Sequence, residues 1–301
     1  MNWRQINFRA FVVLTLSLIY AIYAPAQEVD DVVRVDVDFV TVNVSVKDRK
    51  GNALLGLKSG DFLVTDQDHP VSLSSFASDG PASIVFVVDV SSSMRVTWKS
   101  FLKGLEKFLR TTPVENDYTL VVFNEHAKLV VESVDSYVLT KALSQLRPAG
   151  ETSLYDGLLQ GLKMMKRVPQ SRKALVLISD GHDTSSHCTL ADVENAAALE
   201  RTTIYGIGIK LKEFCLPTSP DACQGIEVLN ALSKATGGIS RFPDSESIPD
   251  DLKQVANDIS SQYSLTYYSV DKTPGLRRVQ VSVVEGKRQP KLRYQQFYLK
   301  K

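Results

Sequence analysis

Five oxygen-bearing side chains stand where hydrophobic runs give way to polar loops. Asp89, Ser91 and Ser93 follow the run Ile84-Val85-Phe86-Val87-Val88. Asp180 follows Ala174-Leu175-Val176-Leu177-Ile178, and Thr152 sits in Gly150-Glu151-Thr152-Ser153-Leu154, just ahead of a helical pattern. Two carboxylates and three hydroxyls, with no nitrogen or sulfur among them, make a hard donor set. Such a set suits Mg2+ and, less selectively, Mn2+ or Ca2+. With only two formal negative charges around it, the cation keeps net positive character. Mg2+ takes six ligands and dehydrates reluctantly, so waters and an outside oxygen would complete the shell.

The elements around these residues place them together. Continuous apolar runs at 84–88, 117–124, 174–178 and 203–209 read as buried strands, and 128–134 as a further strand antiparallel to its neighbour. Helical spacing appears at about 98–109, 136–146, 154–167, 189–200, 225–236 and 248–259. Buried strands alternating with amphipathic helices mean an α/β, doubly wound, mostly parallel sheet covered on both faces. Ligands of such sheets bind at the carboxyl ends of the strands, which is where the five residues fall. Both flanks are β-rich. Residues 33–46 alternate with a phase slip at Phe39-Val40, and strands follow near 61–65 and 71–76. Strand-like runs return at 263–268, 278–284 and 292–299. Neither flank alone has strands enough for a stable core, so the expected arrangement is one small β-sandwich formed by N- and C-terminal strands with the α/β domain inserted. The expected boundaries are 1–26 for a leader, 27–80 for the amino-terminal sandwich strands, 81–262 for the α/β domain and 263–301 for the carboxyl-terminal sandwich strands.

Asp89-Val90-Ser91-Ser92-Ser93 is similar to the D-x-S-x-S signature of the metal-ion-dependent adhesion site (MIDAS) of von Willebrand factor A (VWA) domains. Thr152 and Asp180 complete the family's five-residue set in order, and the resemblance covers about 82–262. The flanks, including Gly60-Asp61-Phe62 and Tyr263-Ser264-Leu265-Thr266-Tyr267-Tyr268, resemble exported bacterial VWFA-related proteins. The resemblance implies that Ser91 and Ser93 bind Mg2+ directly and Thr152 directly or through water. Asp89 and Asp180 would act mainly through waters and by fixing the serines. It further implies that an Asp or Glu carboxylate of a partner protein takes the last position, as in adhesion-type protein binding. One departure is Glu151, where the family often has a small residue; it is read as pointing to solvent. The loop 211–225 follows the strand at 203–209 and is expected to shape partner choice.

Other chemistries find less support. A Mg2+-dependent hydrolase of the haloacid-dehalogenase type needs a second Asp where this chain has Ser91, and no G-x-S-x-G, Walker or HExxH motif occurs. A structural envelope component with a vestigial metal site is the other alternative. His182, Asp183 and His187 suggest zinc but lie in a polar loop, and Asp156 reads as a structural hydrogen-bonding residue. The chain of 301 residues carries 35 basic and 34 acidic residues, which excludes the basic excess of a nucleic-acid binder. Arg4 and Arg9 precede an uncharged run, Ala10 to Ala24, and Ala24-Pro25-Ala26 supplies small residues, the layout of a secretory signal peptide. A helix of that run reaches about 22 Å, short of the roughly 30 Å hydrocarbon core. The expected location is therefore periplasmic or secreted, with no membrane span in the mature chain. Export favours disulfides. Cys215 and Cys223, which flank a Pro-rich stretch, are the easiest pair to close, and a bridge from Cys188 to either is the alternative.

Overall fold

β-branched and aromatic residues dominate the strands that build the centre of this protein. The computed structural model describes residues 39–179, 183–209, 220–269, 273–284 and 290–300. The chain divides into two units, Met1–Val37, which lies outside the described residues with the leader expected there, and Asp38–Lys301. Among the described residues no helix is long and apolar enough to cross a membrane.

The strands are β1 (Phe39–Lys47), β2 (Phe62–Asp66), β3 (His69–Val71), β4 (Leu73–Ala77) and β5 (Ser83–Asp89). Helix α1 (Trp98–Leu109), β6 (Asp117–Phe123), β7 (Ala127–Val134), α2 (Ser136–Gln145), α3 (Leu154–Met164) and β8 (Lys173–Ser179) follow. Then come α4 (Leu190–Glu200), β9 (Thr203–Gly208), α5 (Pro220–Ala235), β10 (Ser240–Arg241) and α6 (Ile248–Ser260). The last elements are β11 (Tyr263–Tyr268), β12 (Gly275–Val283), β13 (Lys291–Arg293) and β14 (Phe297–Lys300).

The central sheet has the order β10-β9-β8-β5-β6-β7, with every pair parallel except β6 and β7. Alternation along β5 explains why its run is apolar throughout. Ile84, Phe86 and Val88 face a core with Phe101, Leu105 and Phe108 of α1 and Leu252 and Val255 of α6. Val85 and Val87 face the opposite core, with Leu158 and Leu162 of α3, Val193 of α4 and Leu229 of α5. Each face thus has its own helix layer, as a doubly wound sheet requires. Helix α3 lies close on the sheet: a Cβ at Gly157 would meet the Phe123 ring, and one at Gly161 would meet Val87.

The flanking strands form two antiparallel sheets, β13-β1-β11-β4 and β14-β12-β2-β3. Val40, Val42, Val44 and Val46 of β1 and Tyr263, Leu265 and Tyr267 of β11 pack against Phe62, Val64, Val279, Val281 and Tyr298 of the other sheet. Each sheet draws strands from both ends of the chain. Two stretches read as single strands are in fact strand pairs. Residues 71–76 divide because β3 pairs with β2 and β4 with β11. Residues 292–299 divide because β13 pairs with β1 and β14 with β12. In both places the chain crosses from one sheet to the other, which periodicity along one strand does not reveal.

A buried carboxylate anchors much of the contact between the sandwich and the α/β domain. Asp258 of α6 (side chain 1% exposed) accepts from Arg293 at 2.6 and 2.7 Å, from Lys47 at 2.9 Å and from the Tyr205 hydroxyl at 3.0 Å. Arg172 donates to the carbonyls of Ile259, Ser260 and Gln262, covering the carboxyl end of α6, and to that of Gly80. Burial works to raise the Asp258 pKa, but Arg293 and Lys47 outweigh it and hold the carboxyl below its usual range. Removing one member of a buried pair leaves uncompensated charge and costs about 3–5 kcal/mol. We therefore expect Asp258→Ala to lose about 3 kcal/mol or more in urea denaturation at neutral pH; a loss below about 1 kcal/mol would refute the junction's role. Because the folded pKa is depressed, this stabilisation is present above the unfolded value of about 3.9 and is lost as pH falls through the folded value. The gap between wild type and variant is expected to close in acid.

Candidate functional site

At the carboxyl edge of the sheet, β5 ends on Asp89, whose side chain is fully buried. A buried carboxylate needs hydrogen bonds to offset its lost hydration. Asp89 Oδ1 accepts from the Ser91 amide at 2.8 Å, and Oδ2 accepts from the Ser179 hydroxyl at 2.8 Å. Ser179 is the last residue of β8, so the contact joins the ends of the two strands whose connections leave toward opposite faces. That divergence is the switch point at which such sheets bind ligands. The backbone then turns through a 3-10 segment, Ser92–Arg95. Ser91 Oγ and Ser93 Oγ lie 2.9 Å apart.

The loop carrying Thr152 is stitched to this turn. The Ala149 amide donates to the Val90 carbonyl at 2.7 Å, the Ser92 amide to the Gly150 carbonyl at 3.0 Å, and the Gly150 amide to Ser92 Oγ at 3.0 Å. Arg95 Nε donates to the Pro148 carbonyl at 2.9 Å. Asn124, just beyond β6, holds the other side: its Nδ2 donates to the Ala149 carbonyl at 3.0 Å and its carbonyl accepts from the Ser153 amide at 2.6 Å. Thr152 is buried, and its amide donates to Thr184 Oγ1 at 3.1 Å. Glu151 is exposed, in keeping with a side chain turned to solvent. The structure thus brings Asp89, Ser91, Ser93 and the Thr152 loop together. Asp180 lies outside the described residues, as does 211–219 of the loop expected to shape partner choice.

The loop after β8 is a structural strap. Asp183 Oδ1 accepts from the Leu154 amide at 2.8 Å, and Ser186 Oγ accepts from the amides of Tyr155 and Asp156 at 3.0 and 3.2 Å. Free amides at the start of α3 are therefore satisfied from another loop, while Ser153 makes no capping bond. Asp156 answers by accepting from the amides of His187 and Cys188 and from His187 Nδ1 at 3.0 Å. Burial would raise its pKa, but the hydrogen bonds from His187 and Cys188 prevail and hold the carboxyl well below the usual range. Asp183 and His187 are thus committed to this strap and do not converge; His182 lies outside the described residues. Among the described residues no group of three or more His, Cys, Asp or Glu is placed to hold a metal. Sequence reasoning missed Ser179, Ser92, Asn124 and Ser186, since hydroxyls and amides that act on groups distant in the chain leave no spacing signature.

The oxygens present fit a hard cation. Two hydroxyls meet on one turn whose Ser91 amide binds a buried carboxylate. The donors are all oxygen, which suits Mg2+ or Mn2+.

Cys188 is free and Cys223 is disulfide-bonded, which removes every pairing through Cys188. Burial and the adjacent Asp156 push the Cys188 thiol up to about 12. Only the thiolate is nucleophilic. Replacing Asp156 by Asn removes the charge and should speed alkylation of Cys188 at pH 8 at least several-fold; an unchanged rate would show that Asp156 does not govern the thiol.

Residues 84–182 match the family model of the von Willebrand factor type A domain, a span that includes Asp89, Ser91, Ser93, Thr152 and Asp180. No curated protein matches the chain. Among solved structures it is similar to a von Willebrand factor type A protein from Catenulispora acidiphila, at 14% identity over 87% of this chain and 72% of that one, TM-score 0.48. It is similar to the pilus adhesin SpaC of Lactobacillus rhamnosus GG in its open conformation, at 12% identity over 78% and 47%, TM-score 0.49. It is also similar to proximal thread matrix protein 1 of the mussel byssus with a zinc-occupied MIDAS motif, at 19% identity over 64% and 49%, TM-score 0.44. The chain spans about half the length of the last two. The segment from Ile84 to His182 thus carries the match to the von Willebrand factor type A domain family.

Proposed function

We propose that the carboxyl-edge loops bind one divalent cation, Mg2+ in the first instance, and that the site holds an Asp or Glu carboxylate of a partner protein outside the cytoplasm. The observation that carries the reading is the pair of hydroxyls, Ser91 Oγ and Ser93 Oγ, 2.9 Å apart over the buried Asp89. Ser91 and Ser93 are the direct ligands in this reading. Asp89 orients Ser91 through its amide and supplies charge, and Thr152 and Asp180 complete the protein's share. When bound, the cation offers a Lewis-acidic position to an incoming carboxylate oxygen. Neutral hydroxyls leave the cation underbalanced in charge, which favours an anionic partner group over water. The residues do the rest: the buried carboxylate fixes the turn, the strap holds Thr152, and exposed Glu151 stands at the rim.

The reading is binding rather than catalysis. The position that would carry a general acid holds Ser91, and His187 is occupied by Asp156. The leader-like residues 1–26 support a place outside the cytoplasm, periplasmic or secreted. The same reading treats 27–80 and 263–301 as one sandwich interrupted by 81–262.

The test is isothermal titration of Mg2+ and Mn2+ into the metal-free chain. One-to-one binding is expected, weakened about 10- to 100-fold or more in Asp89→Ala and Asp180→Ala. Wild-type affinity in both variants would sink the site assignment.

A further inference from the structure

We propose that Ser92, to which no metal-binding role is given, is the positioning residue that sets the spacing between the Ser91–Ser93 hydroxyl pair and the Thr152 loop; the inference rests on the metal-binding reading above. Ser92 stands between the two hydroxyl donors and bridges to Gly150 at two points. Its amide donates to the Gly150 carbonyl at 3.0 Å, and its Oγ accepts the Gly150 amide at 3.0 Å. Thr152 is two residues beyond Gly150.

The opposite side of the loop is fixed. Gly150 has φ +87°, and a Cβ there would lie 3.0 Å from Glu125 Oε1 and 3.2 Å from Asn124 Nδ2, so the turn suits glycine. Asn124 binds the Ala149 carbonyl and the Ser153 amide, which brackets Thr152. On the side facing the metal turn, where the Ala149 amide also binds the Val90 carbonyl, Ser92 Oγ supplies a side-chain bond that substitution removes without opening a core cavity, because Ser92 is exposed. Mg2+ demands near-ideal octahedral distances, so ligands on two loops must be held to within about 0.5 Å of their working positions. A side chain that locks one loop to the other therefore acts on affinity without touching the ion.

The experiment titrates Mg2+, and separately Mn2+, into the full chain as wild type, Ser92→Ala and Ser92→Thr. Thermal midpoints are measured in chelator, and exchange of the Gly150 amide is followed. Loss of one ordinary hydrogen bond corresponds to about two- to ten-fold. Ser92→Ala should weaken Mg2+ by that factor and deprotect the Gly150 amide, with the metal-free midpoint unchanged. Ser92→Thr, which keeps the hydroxyl, should restore both. Wild-type affinity in Ser92→Ala overturns the proposal and leaves the metal site standing. Loss of affinity that tracks an equal loss of metal-free stability, unrescued by Thr, also overturns it. If the wild type binds neither ion, the metal-binding reading fails first and the proposal with it.

Discussion

The site depends on one buried carboxylate. Asp89 has no exposed surface and is held by the Ser91 amide and the Ser179 hydroxyl. Desolvating such a group is expensive unless its hydrogen bonds are made. The requirement is therefore mutual: β5 and β8 must end side by side for the carboxylate to be tolerated, and the carboxylate then dictates how the chain leaves β5. The parallel register delivers this, since Val88 pairs with Ile178 and the two strand ends coincide. Apolar side chains on both faces of β5 fix that register independently of the loops. The precision of the site is thus borrowed from the core.

A second constraint comes from the start of α3. The first amides of any helix lack intrahelical partners. Here Ser153 leaves them unserved, and Asp183 and Ser186 reach across from the loop after β8. A local cap would have left that loop independent. The distant cap makes α3, Thr152 and the strap one hydrogen-bonded body, reinforced by Asp156 accepting from His187 and Cys188. Gly157 and Gly161 let α3 settle against Phe123 and Val87, so this body rests directly on the sheet.

Much of this was legible in the sequence because buried parallel strands write continuous apolar runs. Ile84–Val88 and Ala174–Ile178 marked both strands and the end at which Asp89 stands. D-x-S-x-S was readable because its residues are adjacent. The sheet-switching strands were not, since Val71 and Leu73 alternate as one strand would while pairing with different partners. The junction at Asp258 was also hidden. An acid in the last turn of α6 opposes the helix dipole, and its reason emerges only when Arg293, Lys47 and Tyr205 arrive from distant segments. His187 and Asp183 looked like ligands by composition and proved to be fasteners by geometry.

The junction also decides which edge of the central sheet stays open. Asn43 of β1 donates to the carbonyl of Lys173, the first residue of β8, and Arg172 ties Gly80 to the end of α6. These contacts lie at the amino ends of the strands, opposite Asp89. Chain connectivity makes this the economical arrangement, because a parallel sheet entered at the start of β5 and left after α6 has both exits on that side. A sandwich made from both flanks must close where both exits meet. Among the described residues, these polar contacts gather away from the carboxyl edge that carries Asp89. Helix α6 packs closely on α1, where a Cβ at Gly104 would meet Leu252, Pro249 and Ile248. Since α1 follows the Ser91–Ser93 turn, the junction and the site are joined through packed helices while facing opposite ways. The sandwich therefore anchors the domain on the side opposite the candidate site.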